Sequence, residues 1–234
     1  MQDLFRRDGQ FVYRVVPWLE LDWLEHGFGS RQSEDWNQRP ELISLKQVHS
    51  DICVYSDGTL GGRIGEGDAL LTDVPGAVVG VQTADCVPIL IADVSKRTVA
   101  AVHAGWRGSA QAIAAKAVGA MAARFGSRAR DLQAAIGPAI GACCYEVGPE
   151  VASQFKEFFP GRADLEERAR LDLPEANRRQ LLSAGVPPDQ IHVCGLCTAC
   201  LAGEFFSWRR DRRKHERMVS AIGIRREMQR GREP

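Results

Sequence analysis

Between residues 42 and 103 the chain is cut into six apolar runs of four to seven residues, 42–48, 52–55, 69–72, 77–82, 87–92 and 98–103. Runs of that length are too short for core helices and read as strands. Turn-forming residues separate them: Asp57-Gly58, Gly61-Gly62, Pro75-Gly76 and the segment 93–97. Gly76 and the Ser95-Lys96 step predict tight connections, and so antiparallel neighbours in part of the sheet. Any fold for this chain must therefore be built around a sheet.

Past Gly108 the short apolar runs give way to an apolar spacing of about 3.6. Ile113, Ala117, Ala120, Met121 and Phe125 recur three or four apart and Gly126 follows, which predicts a helix with a glycine stop. A strand is expected over 132–136 and a helix over 147–159 that ends before Pro160. Asp172 and Glu175 have capping-box spacing, so a further helix starts there and stops at Gly185, with Pro187 beyond. Segments 205–208 and 218–224 read as closing strands, while residues 1–41 show no clear organisation. No repeat or linker divides the chain, which reads as one α/β domain over 1–234 with a mixed sheet.

Composition narrows the function classes. At 44% apolar and 26% charged residues the chain can bury a core. The most apolar stretch, 76–92, contains Gln82 and Asp85 and ends at Asp93, so no membrane span is expected. Residues 1–14 lack the apolar core of a signal peptide, which points to the cytoplasm. There, seven cysteines read as thiols, ligands or nucleophiles rather than a disulfide framework. The 30 basic and 30 acidic residues cancel. The cancellation hides a +6 stretch from Arg209 to Pro234, ten basic against four acidic, and a −6 remainder, twenty against twenty-six. The basic stretch, with its tail 225–234, reads as a solvated face, and the acidic body argues against nucleic acid as a partner.

Three polar residues stand at strand ends in otherwise apolar contexts: His49, Cys86 and His103. Two imidazoles and a thiolate suffice for a tetrahedral zinc with one open position, the catalytic arrangement. Their separations are not those of a local zinc motif, so only the fold could bring them together. The 105–108 turn after His103, feeding a helix, offers backbone N–H groups that favour an anion. Asp85 reads equally as a turn cap or as a carboxylate supporting the metal. Cys194, Cys197 and Cys200 form a C-x2-C-x2-C run behind His192, but no fourth ligand follows downstream, and Cys143-Cys144 reads as loop packing.

These segments together resemble the YfiH-like family, the laccase-domain proteins first called multi-copper polyphenol oxidases. The matching strings are Lys46-Gln47-Val48-His49, residues 67–73, Thr83-Ala84-Asp85-Cys86-Val87-Pro88, His103-Ala104-Gly105-Trp106-Arg107-Gly108, Cys144-Tyr145-Glu146-Val147-Gly148, Cys197-Thr198 and residues 205–211. The resemblance implies a layered sandwich of mixed β-sheets with helices on its outer faces. It also implies a metal held by His49, Cys86 and His103, and substrate-binding roles for Gln47 and Arg31. The chain departs from the family between Arg31 and Leu42, where a longer stretch is common, and at His215-Glu216, which replaces the usual Thr-Gly before Arg217.

The function this implies is a zinc-dependent enzyme of purine nucleosides. It would cleave adenosine, inosine or methylthioadenosine with phosphate and deaminate adenosine, acting as a monomer. A zinc in the trio would lower the pKa of water, and Arg31 or Arg107 would hold phosphate. The cytidine-deaminase signature is absent. A copper oxidase of phenols is a second reading, since two His and a Cys with an axial Met make a blue-copper site. Five histidines without a His-x-His pair are too few for a multinuclear copper cluster. A third reading makes Cys86 a nucleophile toward amide-linked substrates such as peptidoglycan precursors, with His49 or His103 as base.

Overall fold

The computed structural model describes residues 4–59, 61–213 and 215–226. Residues 227–234 of the basic tail lie outside the described residues.

Two mixed sheets form the body. The first has the order β1 (Phe5–Arg7), β2 (Tyr13–Val15), β3 (Leu24–Phe28), β15 (Met218–Ile224), β8 (Val78–Thr83), β4 (Leu42–Lys46) and β6 (Gly62–Glu66). The second runs β14 (Ile191–Val193), β11 (Leu132–Ile136), β9 (Val87–Asp93), β10 (Thr98–Ala104), β7 (Ala69–Thr72) and β5 (Cys53–Tyr55). A small pair joins β12 (Glu146–Val147) to β13 (Ala169–Arg170). The six expected strands of the 42–103 region are all present, and β15 closes the first sheet between β3 and β8.

The second sheet is covered on both faces, which explains its unbroken apolar runs. Leu70, Leu90, Ala92, Val99, Ala101 and Ala135 point to the first sheet, where they meet Val79, Val81 and Ile222. The alternate residues Leu71, Ile89, Ile91, Ala100, Val102 and Ala134 face the helical layer. That layer is α3 (Ile113–Phe125) and α5 (Leu173–Ser183). Gly126 caps α3 at φ +67°, and the Asp172 carboxylate accepts the Glu175 N–H at 2.9 Å to cap α5. The result is a three-layer stack, sheet on sheet on helices.

Several elements depart from the sequence pattern. Segment 147–159 is not one helix: α4 (Pro149–Ala152) passes into a 3-10 turn, Ser153–Phe155. Three residues per turn set Ala152 and Phe155 on one buried face, so the apolar spacing is satisfied without a continuous helix. Segment 205–208 is not a strand: Phe205 is buried and Ser207 caps α6 (Trp208–Asp211) by accepting the Arg210 N–H at 3.2 Å. Ser95-Lys96 does join antiparallel neighbours, whereas Gly76, at φ +90°, carries the chain from β7 in one sheet to β8 in the other. Strand β6 lacks an apolar stripe because it is an exposed edge carrying Arg63 and Glu66. The first forty residues supply β1 to β3 and α1 (Glu34–Asn37), whose Trp36 covers Leu42, Val78 and Val219 on the outer face.

Candidate metal centre and its cavity

The parity of β10 decides where His103 points. Val99 and Ala101 face the first sheet, and His103, two residues further on, shares that face at the end of the sandwich. There it meets Cys86, one residue ahead of β9, and His49, three residues past β4. Ligand atoms of all three lie within 4.8 Å of one another. His49 Nε2 is 3.9 Å from Cys86 Sγ, and the two imidazoles stand edge to face with centroids 4.9 Å apart. The structure thus gathers residues 37 and 17 positions apart in sequence.

Asp68 organises the centre, and residue reasoning gave it no role. It is fully buried at the start of β7. Its Oδ1 accepts from His49 N at 3.1 Å and from His103 Nδ1 at 2.7 Å. Its Oδ2 accepts from Val48 N, Ser50 N and Ser50 Oγ at 3.2, 2.6 and 2.7 Å. With Nδ1–H spent on Asp68, His103 offers its Nε2 lone pair to a metal, the carboxylate–histidine–metal arrangement. A charged residue directly ahead of an apolar strand, Gly67-Asp68 before 69–72, was the available signal.

The electrostatics agree with the geometry. Burial works to raise the Cys86 thiol, but the charge and hydrogen bond of His103, with those of His49, bring it down to about 6. Burial works to lower His103, yet Cys86 and Asp68 lift it to about 9. Asp68 is raised by burial, but hydrogen bonds from His103 and Ser50 outweigh this and bring it down to about 2. Without a metal, Cys86 and His103 thus form a thiolate–imidazolium pair, and a zinc ion that displaced the Nε2 proton of His103 would meet a thiolate and an oriented imidazole. Two imidazoles and a thiol with ligand atoms within 4.8 Å of one another fit a tetrahedral metal with one open position.

Backbone strain clusters here. His49 and Asp85 both have left-handed φ, +59° and +90°. Such outliers persist only where surroundings hold them. Asp85 Oδ1 accepts from Thr198 Oγ1 at 2.6 Å, its Oδ2 accepts the Arg209 N–H at 2.6 Å, and its carbonyl accepts the Ile140 N–H at 2.9 Å. Asp85 is therefore a fixing point for two loops and α6 beside Cys86. Gly105 is needed for close approach, since a Cβ there would sit 2.7 Å from His49 Cδ2 and 3.3 Å from Cys86 Sγ.

The centre opens into a cavity of about 720 Å³. Five arginines line it, Arg63, Arg107, Arg209, Arg212 and Arg217, with the aromatic rings of Trp106, Tyr145 and Trp208. Neither buried methionine, Met121 or Met218, is among the lining residues. Arg107 reaches the cavity, its guanidinium over Trp106 at 4.4 Å. The turn that carries it is itself helical, α2 (Trp106–Ala110), rather than an open loop feeding a long helix. Gln47 also lines the cavity, but its amide is clasped to the β8 backbone. Its Nε2 donates to Gln82 O at 2.7 Å and its Oε1 accepts the Gln82 N–H at 2.8 Å. Arg31 is not brought to the cavity: its guanidinium donates to the Ala202 carbonyl and lies 5.0 Å over Phe206. The resemblance found neither Arg63 nor Arg212, which come from a charged edge strand and a loop.

A family model described as multi-copper polyphenol oxidoreductase laccase matches residues 30–225. The chain belongs to this family. Among its laccase-domain relatives, a purine nucleoside phosphorylase of Clostridium acetobutylicum is 40% identical over 196 residues, 82% of this chain and 80% of the relative. A protein of an unidentified prokaryote named adenosine deaminase is 44% identical over 149 residues, 61% of this chain and 56% of that protein. The crystal structure of YlmD from Geobacillus stearothermophilus superposes with a TM-score of 0.86 at 30% identity, covering 96% of this chain and 100% of that one. Among the described residues of this laccase-domain chain, no helix is long and apolar enough to cross a membrane.

Proposed function

We propose that this protein is a zinc-dependent enzyme of purine nucleosides, releasing the base by phosphorolysis and deaminating adenosine. One observation carries the reading: three metal donors, five arginines and three aromatic rings converge on a single cavity of about 720 Å³. A planar base stacks on such rings, and a phosphate pairs with such guanidinium groups. The names of the relatives, purine nucleoside phosphorylase and adenosine deaminase, support the same substrates.

His49, Cys86 and His103 would hold the zinc. When bound, that ion supplies a Lewis acid and lowers the pKa of water toward neutrality. The chain's own residues do the rest. Asp68 keeps the His103 proton on Nδ1, so the ring presents a lone pair to the centre. Asp85 anchors the Cys86 turn to α6, which bears Arg209. Trp106, Tyr145 and Trp208 supply apolar surface that excludes water from the bound base. Arg107 and its neighbours hold the phosphate against the sugar.

The donor set also resembles blue copper, but a copper site of that kind needs a weak axial ligand; among the described residues the cavity lining holds no methionine, and the Gln47 amide is bound to the Gln82 backbone. The low thiol pKa at Cys86 equally suits a nucleophile, and one experiment separates the two. Purified protein is assayed on adenosine, inosine and methylthioadenosine with and without phosphate, after chelation or after thiol alkylation. Phosphate-dependent release of base, lost on chelation and restored by zinc, supports the proposal. Full activity in Cys86→Ala sinks it.

A further inference from the structure

A second group of thiols lies outside the cavity lining. Sequence spacing singled out Cys194, Cys197 and Cys200 and found no fourth ligand downstream. The fold brings the partners from upstream: Cys143 and Cys144, on the loop after β11, meet Cys197 and Cys200, on the loop after β14. Strands β11 and β14 are parallel neighbours, so their C-terminal loops emerge side by side. Ala139 and Cys197 form a bridge that continues the pairing, with Thr198 N donating to Ala139 O at 3.0 Å. Cys194 is left out of the group, and Cys143-Cys144 is more than loop packing.

The geometry is that of ligands rather than of a disulfide. All four sulfurs lie within 4.8 Å of one another, with Cys143 Sγ and Cys144 Sγ at 3.5 and 3.4 Å from Cys200 Sγ. Four thiolates about 2.3 Å from a tetrahedral zinc stand about 3.8 Å apart. A disulfide would need about 2.05 Å, and all four cysteines are unpaired. The Gly141 N–H donates to Cys197 Sγ at 3.3 Å, the kind of amide–thiolate bond that supports a ligating sulfur. Gly141 lies close against the group: a Cβ there would stand 3.3 Å from Cys143 Sγ and 3.5 Å from Cys197 Cβ.

We propose that Cys143, Cys144, Cys197 and Cys200 form a closed tetrathiolate site for zinc, separate from the His49–Cys86–His103 centre. Four protein ligands leave no open position, so the role is structural. The site staples a loop that lines the cavity to a loop that holds the lining residue Asp85. Thr198, next to Cys197, holds Asp85, and Tyr145, next to Cys144, lines the cavity. The Cys144 and Glu146 carbonyls accept from Arg209 Nη1 at 3.4 and 2.9 Å. Binding the metal therefore fixes the support of Asp85 and Arg209 without touching substrate.

The test is metal counting on protein purified anaerobically with zinc supplied. The full chain should carry about two zinc ions, and a Cys143→Ser/Cys200→Ser double variant about one. Cys194→Ser should keep both. A Cys86→Ala/His103→Ala variant should keep one, and its cobalt form should show the intense thiolate-to-metal charge transfer of a four-sulfur site. That arm stands even if the catalytic-zinc reading fails, because loss of one site does not empty the other. Cys143 and Cys200 are exposed at the surface, and a melting curve of the zinc-free double variant that matches the zinc-free full chain checks its fold. An equal zinc content in the full chain and the Cys143→Ser/Cys200→Ser variant would overturn the proposal. So would a mass lower by one pair of hydrogens, the mark of a disulfide among these residues.

Discussion

Replacing Asp68 by Asn changes one oxygen to an NH2 group and leaves the volume almost unchanged. The Asp68 carboxylate receives five donors: three at Oδ2 and two at Oδ1. An amide has one acceptor oxygen, so its NH2 must face one of these groups of donors. Turning it toward the Oδ1 side confronts fewer, namely the His49 N–H and His103 Nδ1. His103 can relieve that conflict only by moving its proton to Nε2, the atom that should bind metal. The orphaned His49 N–H costs about 1–3 kcal/mol in folding stability. Losing the orienting carboxylate weakens metal binding about 10- to 100-fold, or roughly 1.4–2.7 kcal/mol. Competitive zinc titration against a chromophoric chelator measures the affinity, and nitrogen NMR of labelled histidine reads the tautomer. If Asp68→Asn binds zinc within twofold of the wild type while His103 stays protonated at Nδ1, the reasoning is wrong.

Gly105→Ala places a methyl group 2.7 Å from His49 Cδ2, so zinc affinity should fall at least tenfold while the melting temperature moves by only a few degrees. Arg107→Ala should raise the KM for phosphate about 10- to 100-fold, the worth of a lost charge-assisted contact, with little change for the nucleoside. His26 is buried and its ring accepts the Val15 N–H at 2.9 Å. Burial, with the nearby Arg14 charge, brings it down to about 3 from 6.5. Between those values the unfolded chain binds the proton and the folded one does not, so stability falls as pH drops from 6.5 toward 3, by at most about 1.4 kcal/mol per pH unit. Denaturant midpoints for the wild type and His26→Gln, taken between pH 7 and pH 4.5, check this: the variant should show the shallower slope.

Much of the architecture was readable before any coordinates. Short apolar runs bounded by glycine and proline can be little else than strands of a sheet covered on both sides, and α3 and α5 announce their ends through Gly126 and Asp172. The elements that escaped are those whose residues answer to neighbours rather than to periodicity. Strand β6 is charged because it is an edge, and residues 205–208 are aromatic-rich like a strand although Ser207 captures the chain into α6. The trio His49, Cys86 and His103 was visible as chemistry, because polar residues stand where apolar strands end. Spacing left its convergence open and only the family resemblance implied it, since residues 37 and 17 apart meet through the packing of two sheets. Asp68 and the four-thiol group were decided wholly by tertiary structure. A carboxylate becomes an organiser only when five donors surround it, and Cys143-Cys144 gains partners only because parallel strands β11 and β14 deliver two distant loops to one end of the molecule.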